Sequence, residues 1–427
     1  FRSKTFDIDG DGKAEIIAGS QDGFLHILDA ETLNREFVSA DFGTHFGIGL
    51  EIEDVDNDGK AEIIASDFDA SDGIYFAVFK YQNNTFVLNT TVGRASEGNV
   101  YSIEVGDVDS DGTKEIIVPD ATNSNVYIFG WNGNAYTLET NFAVANNPRA
   151  LEVYDSDNDG TLEIITGDFD AAGRFLVHGF NGFFFVQEFA SPDLGTTISG
   201  FHHADLDDDG KIELIVGSQD FFHVFEYSAA SYVEEFKSAD LGTTIVPSDA
   251  ADWDKDGNLE LLLGMDSNGR IEVYQFGNNA QYAREYFVDA SSERDSPKFA
   301  DIDNDGEIEI ISGGADGIIR VYNRTSTTQE KTSIDFGTHV GGFTGDALLV
   351  TEPQRFSTLI STSNQTQVFA SINTTDLAGN KQILEGISFM FDVSNPLILS
   401  ITAFTGTANF EKPVAIDAIV EDDLGID

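Results

Sequence analysis

One nine-residue string, D-x-D-x-D-G-x-x-E, occurs seven times in this chain, and no other feature limits its possible folds as tightly. The copies begin at Asp7, Asp54, Asp107, Asp155, Asp205, Asp252 and Asp301, at steps of 47, 53, 48, 50, 47 and 49 residues. A fixed period of this size marks a repeat architecture, in which each unit buries its apolar faces against its neighbours. After each Glu comes a short apolar run, such as Ile16-Ile17-Ala18-Gly19, Ile63-Ile64-Ala65, Ile116-Ile117-Val118, Leu214-Ile215-Val216-Gly217 or Leu261-Leu262-Leu263-Gly264. These runs are β-branched or leucine-rich and end at turn formers, which predicts buried strands. A turn and an alternating strand follow, as in Gln21-Asp22-Gly23 and Phe24-Leu25-His26-Ile27-Leu28, then a more variable stretch and a glycine turn. A last strand enters the next acidic loop. Four strands in a unit of about 49 residues match one blade of a β-propeller, and helical periodicity is hard to find.

Three Asp at alternate positions put three carboxylates on one side of a tight loop, where they repel one another unless a cation lies between them. Gly at position six permits a sharp turn at positive φ. Glu at position nine closes the cage from the first residue of the next strand. Oxygen ligands at positions one, three, five and nine, with a backbone carbonyl near position seven, suit Ca²⁺, a hard ion that takes six to eight oxygens; Mg²⁺ fits less well because it keeps more water. The predicted ligands are Asp7, Asp9, Asp11 and Glu15; Asp54, Asp56, Asp58 and Glu62; Asp107, Asp109, Asp111 and Glu115; Asp155, Asp157, Asp159 and Glu163; Asp205, Asp207, Asp209 and Glu213; Asp252, Asp254, Asp256 and Glu260; and Asp301, Asp303, Asp305 and Glu309. About seven Ca²⁺ sites follow, one per repeat. An EF-hand starts alike but needs a carboxylate at position twelve. That position holds Ala18, Ala65, Val118, Thr166, Val216, Leu263 and Ser312, so the EF-hand is rejected. Position two is apolar in six of the seven loops (Ile8, Val55, Val108, Leu206, Trp253 and Ile302, with Ser156 the exception), which predicts that it packs inward.

Composition narrows the function. The 427 residues carry 75 Asp and Glu against 23 Lys and Arg, a net charge of −52. That charge repels phosphate and excludes nucleic acid or an anionic membrane face as the expected partner. Seven divalent ions, +14 in all, would bring −52 to −38. No apolar run reaches the roughly 18 residues of a membrane helix, so no direct membrane insertion is expected in this segment. With no Cys there is no disulfide, zinc-thiolate site or thiol nucleophile. The chain opens at Phe1 and stops at Asp427 within what reads as a domain, and it is taken to be a piece of a longer protein.

The repeated acidic loop, its spacing, and the pairs Phe42-Gly43 and Phe336-Gly337, with Leu194-Gly195 and Leu241-Gly242 in equivalent places, resemble the FG-GAP/VCBS repeats of integrin α-subunit β-propellers over roughly residues 1–340. The resemblance implies Ca²⁺ loops on one face, between the first and second strands of each blade. It also implies adhesion or ligand display at the cell surface. Position nine is Glu throughout, where integrin loops typically have Asp, and every repeat keeps a full acidic set.

The expected fold is all-β: a seven-bladed propeller over 1–342, then 343–395 as a degenerate eighth blade or an Ig-like segment, then 396–427 as the start of a further Ig-like module. Thr338-His339-Val340-Gly341-Gly342 repeats the lead-in Thr44-His45-Phe46-Gly47-Ile48, and strand-like Ser357–Ser361 and Gln367–Ser371 follow. The stretches Thr375–Asn380 and Ile387–Asp392 resemble the close of a bacterial or archaeal Ig-like stalk module. Sequons lie at Asn83, Asn89, Asn323, Asn364 and Asn373, so the chain is a candidate glycoprotein.

The function expected is a Ca²⁺-stabilised, non-catalytic platform outside the cell or on its surface, binding a protein or glycan partner. The runner-up is a polysaccharide lyase or hydrolase on the same scaffold, with His202 and His203 as channel-lining candidates among His26, His45, His178, His202, His203, His223 and His339. No HExxH, GxSxG or phosphate-loop motif is present. A lectin is the other alternative, with Phe183-Phe184-Phe185 and Phe221-Phe222 as stacking candidates; core packing is the reading favoured for them.

Overall fold

The computed structural model describes 3–332, apart from 44, 69–72, 94–97, 145–146, 170–172, 196, 230, 266–268, 278–280, 290–295, 303–304, 315 and 325–328, and the strands within 366–402. Every regular element among these residues is a strand. Seven four-stranded antiparallel sheets occupy 3–38, 46–93, 104–143, 148–190, 198–237, 245–289 and 298–332, each with its strands in chain order. These are seven blades of a propeller. The first strands contact one another in a complete circuit, from the first blade round to the seventh and back, and so line the middle.

Seven apolar clusters hold the ring, one at each junction between blades. At the first junction Ile17, Leu25 and Ile27 pack with Phe46, Ile63 and Phe79. At the last, Ile302, Ile311, Ile319 and Val321 of the seventh blade pack with Ile16, Ala18, Leu28 and Leu33 of the first. No strand is exchanged to make that closure, because each of these blades draws its four strands from one continuous stretch. Among the described residues the ring therefore closes at seven blades.

The second strand of each blade is buried along its whole length, as in Glu62–Asp67 and Glu213–Ser218. It is covered on both faces by neighbouring blades, and that is why its sequence is a continuous apolar run rather than an alternation. The fourth strand lies at the rim and alternates in exposure, as in Arg35–Val38. Its outer face meets water, so its sequence drifts most between repeats.

The chain divides into two compact units, Phe1–Ala347 and Leu348–Asp427. The described part of the second is a three-stranded antiparallel sheet of Thr366–Thr375, Lys381–Asp392 and Leu397–Thr402, in that order. The expected strand at 357–361 and the Phe336-Gly337 turn lie outside the described residues, as does most of the Ig-like reading.

Candidate metal centres

Each acidic loop joins the first strand of a blade to the second, so all seven hang from equivalent corners of the ring. The fifth shows the build. Asp205, Asp207, Asp209 and Glu213 place one carboxylate oxygen each within 4.8 Å of the others. The Asp209 N–H donates to Asp205 Oδ1 and Asp207 Oδ1, both at 3.1 Å, and the Gly210 N–H donates to Asp205 Oδ2 at 3.0 Å. The Lys211 N–H donates to Asp209 Oδ1 at 2.9 Å. Backbone amides thus orient every carboxylate of this loop. Comparable bonds recur in the loops starting at Asp54, Asp107 and Asp155.

Two backbone positions make the turn. Gly at position six has φ near +90°, as at Gly112 (91°) and Gly160 (94°), which was expected. Position four is also left-handed, at Asn57, Ser110, Asn158, Asp208 and Lys255 with φ of 58° to 63°. The motif reading missed this, although Asn, Asp and Gly at most of these places are the signal for it.

Glu at position nine is the buried member. Glu62, Glu115, Glu213 and Glu260 are fully buried at the start of their strands, and Glu15, Glu163 and Glu309 nearly so. In each blade its Oε2 accepts the N–H of position two, at 2.7 Å from Leu206 and 3.1 Å from Val108, for example. Burial, reinforced by neighbouring carboxylates, pushes Glu115 and Glu213 up to about 8, and Glu15 and Glu163 up to about 7. Glu213 Oε1 and Asp252 Oδ1 are buried without any hydrogen-bond partner. A carboxylate oxygen left in that state is costly unless a cation meets it. Oxygen-only donors with orphaned buried oxygens fit a hard divalent ion. Asp303, predicted as a ligand, lies outside the described residues.

Position two ties the loop to the ring. Val55, Val108, Leu206, Trp253 and Ile302 are all buried, each in the cluster that joins its own blade to the next one. Ser156 does the same by polar means: its hydroxyl meets Glu163 Oε2 at 2.7 Å and Tyr232 of the following blade.

The strand facing position nine differs from blade to blade, which the motif does not reveal. Asp29 pairs in register with Glu15, Lys80 with Glu62, Glu226 with Glu213 and Gln275 with Glu260. In the third and fourth blades the corresponding Gly130 and Gly179 have no side chain, and Glu139 and Glu188 of the fourth strands reach across the gap. The Lys80 ammonium contacts Asp56, Asp58 Oδ2 at 2.9 Å and Glu62 Oε1 at 3.3 Å.

The other sequence candidates separate. His203 Nδ1 pairs with Glu152 Oε1 at 2.6 Å and its ring stacks on Tyr154 at 4.3 Å. Burial opposes a proton on His203, but the Glu152 bond outweighs it and raises its pKa. His202 is held down at about 4 by burial and by the Lys298 charge. His26 and His178 are buried and lowered, to about 3 and about 4. Phe185 and Phe222 pack in the core, as favoured from sequence. Phe183 and Phe184 do not: they are 88% and 60% exposed at the tip of a hairpin whose turn is held by Asn181 Oδ1. The Asn-Gly turn carries its flanking aromatics past the rim, where no blade covers them. His339 lies outside the described residues.

Closed ring, inner-strand loops and regular carboxylate sets together define a seven-bladed propeller with an acidic cage at each blade. Within it, residues 54–118 and 252–312 match the FG-GAP-like repeat. Among solved structures, the crystal structure of BBS1N in complex with ARL6DN, soaked with lead, is similar at 13% identity and TM-score 0.53, covering 76% of this chain and 92% of that one. Sqt1 of Saccharomyces cerevisiae is similar at 14% identity and TM-score 0.54, covering 87% and 92%. The computationally designed Ika8 protein is similar at 11% and 0.51, covering 78% and 88%. At such identities the likeness is one of fold. No curated protein shows significant similarity to this chain.

Proposed function

We propose that this chain is a calcium-stabilised, non-catalytic propeller that works outside the cell, where millimolar calcium fills sites of modest affinity, as a platform for a protein or glycan partner. The observation that carries this is the set of hard-oxygen cages with buried, unpartnered oxygens at Glu213 and Asp252. Each ion meets a loop whose second residue plugs the next blade junction, so ion binding stabilises the ring rather than a single blade. At a hundredfold excess over Kd each site contributes about 2.7 kcal/mol. A chelator is expected to lower the melting temperature by well over ten degrees, with full recovery on adding calcium. An unchanged melt after verified metal removal would reject calcium as the stabiliser.

A glycan partner is favoured over a protein one by a specific feature: two exposed phenylalanines, Phe183 and Phe184, on a fixed turn. Aromatic faces of this kind stack on sugar rings. Binding on a glycan array that disappears in a Phe183→Ala, Phe184→Ala variant would support this. Binding that persists in the variant would move the contact elsewhere.

A further inference from the structure

The second acidic loop differs from the rest in a way that its motif conceals. It carries the full string, Asp54, Asp56, Asp58 and Glu62. Yet the third strand of its blade, Ile74–Gln82, sets Lys80 directly opposite Glu62 in the antiparallel register. The Lys80 side chain is only 17% exposed, and Glu62 only 1%. Its ammonium contacts carboxylates from positions three, five and nine, which are three of the four side-chain ligands a divalent ion would use. Among the described residues no other blade repeats this. The equivalent residue is acidic in the first and fifth blades, an amide in the sixth (Gln275) and seventh (Asn323), and glycine in the third and fourth. Lys211, in the fifth loop, sits at position seven and takes its shortest contact, 2.5 Å, from Glu226, with only Asp209 of the cage within 3.3 Å.

We propose that the second loop is a cage with a built-in cation: Lys80 occupies the ion position, and this loop takes no divalent metal while the others do. The proposal rests on the metal reading above. An ammonium and Ca²⁺ cannot share the same three carboxylates, since both would stand within a few ångströms of one another in a site poorly screened by water. The Lys80 ammonium donates to Asp56 and Asp58, and stands 3.3 Å from Glu62 Oε1, so its charge already sits among the carboxylates. Val55, the position-two residue of this loop, plugs the junction between the second and third blades. That junction is therefore held without calcium, and it leaves the ring one fixed corner when the remaining ions are stripped.

The test is calcium stoichiometry by equilibrium dialysis, comparing the parent with Lys80→Gln, which copies Gln275 of the sixth blade, and with the reciprocal Gln275→Lys. The expected result is one more ion per chain for Lys80→Gln and one fewer for Gln275→Lys. Amide exchange gives a second readout that survives poor folding of either variant. In chelator the parent keeps protection over 54–62 while losing it over 205–213, and calcium does not change the former. Equal stoichiometry in the parent and Lys80→Gln, or calcium-dependent protection over 54–62 in the parent, would show that calcium displaces the lysine and would overturn the proposal. A parent that binds no divalent ion at all would overturn the metal reading and this proposal with it.

Discussion

Moving a carboxylate out of water is the dearest step in building these cages, and Glu at position nine takes it in every blade. Burial first, and the neighbouring carboxylates second, raise Glu115 from 4.5 to about 8. Glu62 rises to about 7 for the same reasons, with Lys80 partly opposing. The sign of the consequence follows. A raised acid pKa means that the metal-free folded chain holds protons the unfolded chain has released. The stability so contributed is fully present below pH 4.5 and is lost as pH rises through about 7 to 8. Metal-free protein is therefore expected to melt higher at about pH 5 than at about pH 8, and calcium-loaded protein to show the opposite order, because protons compete for its ligands. Glu115→Gln keeps an oxygen to accept the Val108 N–H but cannot ionise. It should raise the metal-free melt at alkaline pH, by on the order of 1–3 kcal/mol, and weaken the calcium-loaded form. Parallel pH profiles for parent and variant would remove the glutamate as the cause.

The loop and the second strand form one element, and its parts were legible to different degrees. The apolar runs and the glycine turn were plain in the sequence because both depend on short-range sterics and burial. The left-handed residue at position four was hidden by its variable identity, from Asn57 to Lys255. Gly112 shows what the turn demands: at φ 91° a Cβ would meet no atom within 4 Å, so Gly112→Ala costs backbone strain rather than a clash, about 1–2 kcal/mol. Position two was expected to face inward; that it always faces the next blade is a finding of the structure. Leu206→Ala should cost about 2–5 kcal/mol and also weaken calcium binding at the fifth loop. A thermal melt combined with calcium titration checks both, and a loss of stability with unchanged affinity would uncouple loop from junction.

Closure of the whole ring rests on side-chain packing between the first and last blades. Ile311→Ala, in the centre of that junction and fully buried, is expected to cost about 2–5 kcal/mol and to broaden the melt as the ring opens there. An equally sharp transition would mean that the ring is held elsewhere. The net charge of −52 acts over the same scale, since mutual repulsion opposes the compact form. Added sodium chloride should therefore raise the melting temperature of the metal-free chain more than that of the calcium-loaded one.

The order of residues alone determined the repeat, the strand count per blade and the acidic loops, because each is written within a dozen or so neighbouring positions and recurs seven times. Tertiary structure decided the rest: that the ring closes at seven, that Phe183 and Phe184 stand in water, and that Lys80 faces Glu62. Those outcomes depend on strand register and on which blades become neighbours. Two residues far apart in the chain meet only after the sheet has formed, so a local motif carries no record of what will stand opposite it.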